Sequence, residues 1–328
     1  MKGFFCVKLS LKRDVLAYDF DADGESEIVL NPFHEKNEMV IEKAKFIGKF
    51  KSFPTALKKR KLPLKDFEAP MFSHTKATYI DFVEETIEAI KSGDYKKIVT
   101  SRYTSITNSV EAIKLYDALC LEYPRTNVYF LSHEKFGVWM GASPETLVKV
   151  NDGKFKTMAL AGSKLEYQEW NDKEKEEQKI VADYIGSILD GYNFERIKVK
   201  GVQTVSAGPI QHLRTHYEAP IGENDPMDIA LDLHPTPAVC GIPKDEVKQY
   251  VLAKEGFDRE LYSGFIGVKN NGNFDSFVNL RCMRLYKDRI QLFAGGGIMA
   301  ESKAEIEWNE TQTKLQTLMK VIKDVREE

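Results

Sequence analysis

Two pairs of glutamates recur at a spacing of three residues, and each pair opens a predicted helix. Glu307 and Glu310 lie near the C-terminus, and Glu174 and Glu177 lie in the middle of the chain. Residues three and four apart share one helix face, so each pair presents two carboxylates together. A carboxylate beside an apolar stripe is costly unless a cation or a metal ion compensates its charge. Four carboxylates brought together would suit Mg²⁺, which prefers oxygen ligands.

An ordinary solvated helix edge is the alternative for each pair. Lys314 follows Glu310 by four residues, which is the usual spacing of a surface ion pair. The middle pair favours a site more strongly, because Glu174 and Glu177 fall inside the apolar arc of their own helix. That the two helices never meet is also compatible with the sequence.

Two further residues are candidates for proton transfer. Lys97 begins a predicted strand and alternates onto the same face as Val99 and Ser101. If that face is the inner one, burial lowers the lysine pKa and favours a general base; an exposed lysine at a strand start is the alternative. Glu145 lies in a Pro-containing turn between two predicted strands, where it would by itself be an ordinary loop acid.

Two segments with unusual backbone requirements accompany these side chains. Residues 233–244 carry three prolines in an apolar context, which excludes a regular helix or strand and predicts a buried loop opening a helix at Pro243. The last predicted strand, 290–294, ends in three glycines at 295–297. Their backbone amides could approach and cradle a carboxylate.

Many short strands with interspersed helices predict an α+β domain and argue against a doubly wound parallel sheet. A hairpin turn is predicted at 151–153. The predicted helices are 80–90 and 112–121, with others starting near 174, 243 and 307. The predicted strands are 4–9, 28–30, 96–102, 128–131, 136–141, 155–160, 197–205, 211–217, 261–268, 274–285 and 290–294.

Composition excludes several classes of protein. The chain has 328 residues, a net charge of −3 and four widely spaced cysteines. These values argue against nucleic acid or an anionic membrane as a partner, and against a zinc site or a disulfide framework. No apolar run approaches membrane-spanning length, so a cytoplasmic location is expected. No linker divides the chain, and a single domain over residues 1–328 is predicted, with 1–75 its least informative part.

Taken together and in order, these segments resemble the chorismate-utilising enzymes: the isochorismate, salicylate, anthranilate and aminodeoxychorismate synthases. The resemblance covers roughly residues 78–328. The similar segments are 97–102, 141–145, 160–163, 173–178, 233–244, 259–264, 280–281, 294–298 and 307–315. It implies two large antiparallel sheets packed face to face, with helices outside and the active site between the sheets.

Within this family the details resemble isochorismate synthases most. Lys97 is present, whereas anthranilate synthases lack this lysine; Ala161 stands where aminodeoxychorismate synthases carry a nucleophilic lysine. Ala238 stands where the lyase members usually have threonine, and Gln178 departs from a histidine that relatives often carry. The resemblance therefore implies Mg²⁺-dependent, reversible conversion of chorismate to isochorismate. A salicylate synthase, an anthranilate- or aminodeoxychorismate-type subunit and a non-catalytic binding protein are the alternatives.

The resemblance also implies roles for single residues. Lys97 would take a proton from the water that attacks C2, and Glu145 would protonate the departing C4 hydroxyl. The metal ligands implied are Glu177 and Glu310, with Glu174 and Glu307 beside them. The substrate contacts implied are Ser163, His234, Ala238, Tyr262, Arg281, Gly295 and Lys314. No obligatory protein partner is implied, and either menaquinone or a siderophore is compatible as the pathway product.

Overall fold

A computed structural model describes residues 2–34, 38–207 and 210–327, in which there are sixteen strands and six α-helices. The helices are α1 Lys76–Lys91, α2 Ala112–Glu122, α3 Asp172–Leu189, α4 Pro226–Leu233, α5 Lys244–Lys254 and α6 Ala304–Glu327. The first eight strands are β1 Gly3–Lys8, β2 Val15–Asp19, β3 Ser26–Asn31, β4 Val40–Phe50, β5 Lys97–Thr107, β6 Asn127–His133, β7 Gly137–Ser143 and β8 Thr146–Asn151. The others are β9 Lys154–Leu165, β10 Lys198–Ala207, β11 Ile210–Pro220, β12 Gly241–Ile242, β13 Phe265–Asn270, β14 Asn273–Val278, β15 Cys282–Leu285 and β16 Arg289–Ile298. None of the helices in these ranges is long and apolar enough to cross a membrane.

The strands form one antiparallel ladder that folds into two facing sheets. Its order is β10-β11-β9-β8-β14-β13-β3-β4-β2-β1-β6-β7-β15-β16-β5-β12. Strand β4 joins the two parts, because residues 40–44 pair with β3 and residues 45–50 pair with β2. We call the part from β2 to β12 the β5 sheet and the part from β10 to β3 the β9 sheet. The predicted α+β class with two facing antiparallel sheets is confirmed, and strands β1–β4 of the N-terminal region belong to the same ladder.

An aromatic core lies between the two sheets. Trp139 stacks on Phe293 within the β5 sheet, and the Tyr129 ring lies 5.6 Å from Phe277 of the β9 sheet. Burying such side chains is the main source of the free energy that holds the sheets together. Helices α1, α2 and α6 pack outside the β5 sheet, and α3 packs on β9 and β11. This arrangement brings the N-terminal turns of α3 and α6 to the same end of the sandwich.

Several predicted strands have different boundaries in the structure, and two of these differences affect the site. The predicted strand 274–285 is two strands, β14 and β15, which belong to different sheets. The chain crosses between the sheets at 279–281, where Arg281 adopts a positive φ of 47°. The predicted strand 290–294 does not end before the glycines, since β16 continues to Ile298 and residues 295–297 pair with β5.

The sequence predicted no regular helix or strand in the proline-rich segment 233–244, but the structure contains a short strand there. Gly241 and Ile242 form the short strand β12 against Ile98 and Lys97. A side chain on Gly241 would lie 2.1 Å from the carbonyl oxygen of Lys97, so only glycine allows this pairing. Helix α4 precedes the segment and was not predicted, whereas α5 starts after Pro243 as expected.

Candidate active site

A cleft opens between the sheets where β5, β9 and β16 meet the first turns of α3 and α6. Most of the predicted site residues line it. They are Lys97, Glu145, Ser163, Glu177, Ala238, Tyr262, Arg281, Gly295, Glu310 and Lys314. Glu174, His234 and Glu307 are not among the lining residues, and each is described below.

Lys97 lies on the inner face of β5, where its side chain is 1% exposed. The alternation of that strand therefore predicted the correct face. Burial lowers the pKa of Lys97, with Lys173 and Lys314 acting in the same direction and Glu177 opposing them. The Lys97 Nζ atom lies 3.6 Å from Glu177 Oε2. The pKa of Lys97 is therefore lowered, as the sequence predicted, and the positive charges that contribute come from two lysines.

Glu145 occupies the turn between β7 and β8 and is 2% exposed. Its amide N–H donates to Ser143 Oγ, and its carbonyl oxygen accepts from the Val278 amide, so the backbone is held on both sides. Burial raises the pKa of Glu145 to about 8, and the charge of Lys97 opposes this shift. At neutral pH this carboxyl group therefore carries a proton that it can donate.

Three carboxylates converge over the glycines of β16, and we call Glu177, Glu307 and Glu310 the carboxylate cluster. A side chain on Gly296 would lie 3.5 Å from Glu307 Oε2 and 4.0 Å from Glu310 Oε1. A side chain on Gly297 would lie 2.8 Å from Glu177 Oε2. Helices α3 and α6 therefore do meet, and the glycines leave the space into which the carboxylates point.

The protonation of the cluster is governed by nearby lysines. Burial raises the pKa of Glu307, with Lys173 opposing the shift. For Glu310 burial acts in the same direction, but Lys314 and Lys173 outweigh it and hold the pKa below its usual value. Burial lowers the pKa of Lys173, but the charges of Glu177 and Glu307 outweigh this effect and raise the pKa above its usual value. The lysine is therefore a charged ammonium at neutral pH.

Glu174 has a structural task in the first turn of α3. Its Oε2 atom accepts the Asn171 amide at 3.0 Å, while Asn171 Oδ1 accepts the Glu174 amide at 3.2 Å. This reciprocal capping box satisfies two backbone donors that the helix would otherwise leave unpaired. The structure therefore places Glu174 outside the cleft, on an adjoining cavity that Lys173, Glu307 and Glu310 also line.

The carboxylate cluster fits a hard divalent cation by the chemistry of its donors. Glu307 Oε2 is buried and has no hydrogen-bond partner among the described residues. Carboxylate oxygens are the ligands that Mg²⁺ prefers, and one or two of them suffice. Within the described ranges no three His, Cys, Asp or Glu side chains already form a closed metal-binding group. The ammonium of Lys173 lies between Glu177 and Glu307.

Donors for a substrate carboxylate lie beside the carboxylate cluster. The Tyr262 hydroxyl lies 3.0 Å from the position of a side-chain carbon on Gly295, and the Tyr262 ring stacks on Phe293 at 5.2 Å. Lys314 Nζ donates to the Gly295 carbonyl at 2.7 Å and pairs with Glu310 at 2.6 Å. The bare backbone of Gly295 therefore allows a ligand to approach the hydroxyl and the ammonium together.

His212 also lines the cleft, although no pattern in the sequence predicted it. Its Nδ1 lies 2.9 Å from the Gly162 carbonyl and 3.4 Å from Ser163 Oγ, and its Nε2 lies 3.2 Å from Arg281 Nη2. A carbonyl only accepts and a guanidinium only donates, so Nδ1 carries the proton and Nε2 accepts. Burial and Arg281 lower the pKa of His212 to about 3. This neutral imidazole orients Arg281.

His234 does not reach the cleft, which corrects the expectation that it lies beside the substrate ring. It caps the end of α4, where its amide donates to Ala230, and its ring packs edge-on against Phe265 at 5.3 Å. The ring lines a separate cavity with Phe33 and Pro235. Burial lowers the pKa of His234 to about 3.

A buried ion pair holds the loop that carries Ala238. Arg259 donates to the carbonyl oxygens of Val239 and Val99 at 2.9 and 2.8 Å, and it pairs with Glu255. Val99 belongs to β5 and follows Lys97 by two residues. The loop and the β5 strand are thereby fixed to each other, and both Ala238 and Lys97 face the cleft.

Comparison with known proteins identifies the family of the chain. Residues 21–323 match a family model described as chorismate binding enzyme. Isochorismate synthase EntC of Escherichia coli (strain K12) is 30% identical over 241 residues, which are 69% of this chain and 62% of that protein. Anthranilate synthase component 1 of Acetivibrio thermocellus is 28% identical over 268 residues, which are 75% of this chain and 54% of that protein.

The fold is shared with a solved structure. The putative 2,3-dihydroxybenzoate-specific isochorismate synthase DhbC from Bacillus anthracis superposes with a TM-score of 0.82 at 24% identity, covering 98% of this chain and 96% of that chain. The region matched in the two curated relatives is less than two thirds of either protein. Because the family model extends over most of the sequence, the chain belongs to the chorismate-binding enzymes.

Proposed function

We propose that the protein is an isochorismate synthase, which converts chorismate reversibly to isochorismate. The observation that carries this proposal is the pair Lys97 and Glu145, two buried groups in one cleft with pKa values shifted in opposite directions. Such a pair supplies a base and an acid at the same pH. The similarity to EntC supports the same activity.

The reaction requires one proton to be removed from the attacking water and one proton to be added to the leaving C4 hydroxyl group. Neutral Lys97 removes a proton from water as the water oxygen bonds to C2. The ring double bond shifts, the C4–O bond breaks, and Glu145 protonates the leaving oxygen so that it departs as water. The cycle leaves Lys97 charged and Glu145 ionised, and in the reverse direction their roles exchange.

We propose Mg²⁺ as the cofactor, held by Glu177 and Glu310 with Glu307 beside them. When bound, it would polarise and orient the ring carboxylate of the substrate. The orphaned Glu307 oxygen and the space over the glycines support this assignment. Glu174 caps α3 and is not assigned as a direct metal ligand. Its role is to fix the direction of the helix that carries Glu177.

The remaining cleft residues are assigned to binding the two carboxylates of chorismate. Arg281, oriented by His212, offers a planar guanidinium for bidentate pairing with the enolpyruvyl carboxylate, and Tyr262 supplies a hydroxyl donor beside it. The contacts assigned to the ring carboxylate are Ser163, Gly295 and Lys314. We also propose that residues 1–328 act as a single chorismate-binding domain, since β1–β4 are part of the same ladder.

Product analysis tests the assigned activity directly. The purified chain is incubated with chorismate and MgCl₂, products are separated by HPLC, and pyruvate is measured with lactate dehydrogenase. We expect isochorismate and no pyruvate. Pyruvate in proportion to chorismate consumed would assign the chain to the salicylate branch, and an ammonia-dependent product to the anthranilate or aminodeoxychorismate branch. Bound but unconverted chorismate would identify a binding protein.

The pH dependence of turnover should report on Glu145. In the forward direction kcat/KM is expected to fall as the pH rises through about 8, because the ionised Glu145 has no proton to give. At low pH activity should fall because Lys97 becomes protonated and can no longer act as a base. Initial rates between about pH 6 and about pH 10 measure both limbs. A rate that stays constant through pH 8, with folding verified by circular dichroism, would contradict the role of Glu145.

Ala238 should influence which product leaves the cleft. Threonine at this position adds a methyl and a hydroxyl group to the wall of the cleft, close to the proposed position of the ring. We expect Ala238→Thr to raise the salicylate fraction and to lower total turnover. Pyruvate released per chorismate consumed is the measurement, with wild type in parallel. An unchanged ratio would show that Ala238 does not set the outcome.

A further inference from the structure

Lysines offset most of the negative charge of the carboxylate cluster. The contacts are Lys97–Glu177, Lys173–Glu177, Lys173–Glu307 and Lys314–Glu310. Lys97 is neutral in the proposed mechanism, so the ammonium groups of Lys173 and Lys314 face three carboxylates. A divalent cation adds two positive charges to this nearly balanced cluster, which is unfavourable unless an ammonium withdraws or an anion enters with the cation.

Lys173 contacts two of the carboxylates through their Oε1 atoms. Its Nζ is 2.6 Å from Glu307 Oε1 and 3.3 Å from Glu177 Oε1, so one ammonium bridges helices α3 and α6. The Oε2 atoms of the same two carboxylates face the glycines of β16, where the metal is proposed. A metal ion there would share both carboxylates with Lys173, and the two positive charges would repel each other.

Of the three lysines, Lys173 is the one with space to move. Lys97 is 1% exposed, and Lys314 is tied to the Gly295 carbonyl as well as to Glu310. Lys173 is 15% exposed and lines the adjoining cavity of about 690 Å³, on the side away from β16. Its flexible side chain can swing into that cavity without any change in the backbone of α3.

We propose that Lys173 is the resident cation of the carboxylate cluster. Its ammonium group holds Glu177 and Glu307 together in the metal-free protein and withdraws into the adjoining cavity when Mg²⁺ binds. The proposal rests on the magnesium site of the proposed function. Lys173 prevents mutual repulsion of the carboxylates in the metal-free protein, and for the same reason it weakens the binding of metal. It is a positioning residue for the cluster and takes no part in proton transfer.

Titration of the protein, residues 1–328, with MgCl₂ in the absence of chorismate tests this role. Lys173→Met removes the charge and keeps most of the length, and Lys173→Arg keeps the charge. Lys179→Met is the matched control, since Lys179 lies on the same helix, is 65% exposed and pairs only with Asp183 among the described residues. By calorimetry we expect Lys173→Met to bind Mg²⁺ at least about tenfold more tightly than wild type. Lys173→Arg and Lys179→Met should stay close to wild type.

A second readout is the melting temperature of the metal-free protein in EDTA. Lys173→Met should melt below wild type in EDTA and recover when Mg²⁺ is added, whereas Lys179→Met should not change. Equal or weaker Mg²⁺ binding by Lys173→Met, or no binding by either protein, would overturn the proposal. Neither readout uses chorismate, so an inactive wild type would refute the proposed function and leave this result standing.

If Lys173→Met does not fold, acetylation of lysines in the wild-type protein decides the matter. Mass spectrometry after brief treatment with acetic anhydride should show more modification of Lys173 in Mg²⁺ than in EDTA, because the released ammonium lies in the open cavity. Modification of Lys179 should be the same in both buffers. Equal modification of Lys173 in the two buffers would show that Mg²⁺ does not displace it.

Discussion

Replacing Lys97 by alanine or Glu145 by glutamine is expected to slow the interconversion of chorismate and isochorismate by roughly 10²–10⁴-fold, the usual contribution of a positioned proton-transfer group. Each group is buried and has its pKa shifted by that burial. Because the acid of the forward reaction is the base of the reverse reaction, both variants should fail in both directions. Initial rates starting from chorismate and from isochorismate measure this.

Neighbouring residues of the same types provide the controls. Lys96→Ala changes the exposed lysine just before β5, and Glu134→Gln changes an exposed glutamate in the turn between β6 and β7. Both should keep wild-type rates. A Lys97 or Glu145 variant that is inactive in one direction and active in the other would contradict the assignment of one acid and one base.

Replacing Glu310 by glutamine is expected to lower turnover by at least about 100-fold, since even the outer partners of metal ligands cost 10–100-fold when changed. Glu310 is proposed to bind Mg²⁺ directly, and its carboxylate is kept ionised by Lys314 and Lys173. The fold should survive, because the charge removed is replaced by a neutral group of the same shape. Turnover is measured over a range of MgCl₂ concentrations, and folding by circular dichroism.

Glu305→Gln is the matched control for this variant. Glu305 lies in the same helix, is 63% exposed and pairs with Lys76 on the surface. It should retain wild-type turnover and wild-type dependence on Mg²⁺. Normal conversion of chorismate by Glu310→Gln, or by wild-type protein in EDTA, would show that the metal assignment is wrong.

Several features of the cleft were determined by the local sequence. The two-residue period of β5 placed Lys97 on the same face as Val99, and both residues line the cleft. The three-residue spacing of Glu307 and Glu310 put both on the inner side of α6. Such predictions succeed because the side-chain direction within a strand or helix follows from backbone geometry alone.

Other features depended on contacts between distant parts of the chain. Lys173 and Glu307 are 134 residues apart, so no local pattern announced their ion pair. The irregular pairing of β11 with β9 between Gln211 and Leu213 turns His212 towards Gly162. A bulge of this kind changes the direction of one side chain without any sequence signal that a period-two pattern would reveal.

Tertiary packing also decided which predicted residues stay outside the cleft. Glu174 and Glu177 have the same spacing as Glu307 and Glu310, yet the Glu174 carboxylate is used to cap the start of α3. His234 was placed beside the substrate by its motif, but the end of α4 directs its ring to Phe265. Sequence spacing thus determined which residues share an element and a face. Whether such a face meets the cleft, a helix end or the core was decided only when α3, α4 and α6 packed against the sheets, because that choice depends on the burial of all the elements together.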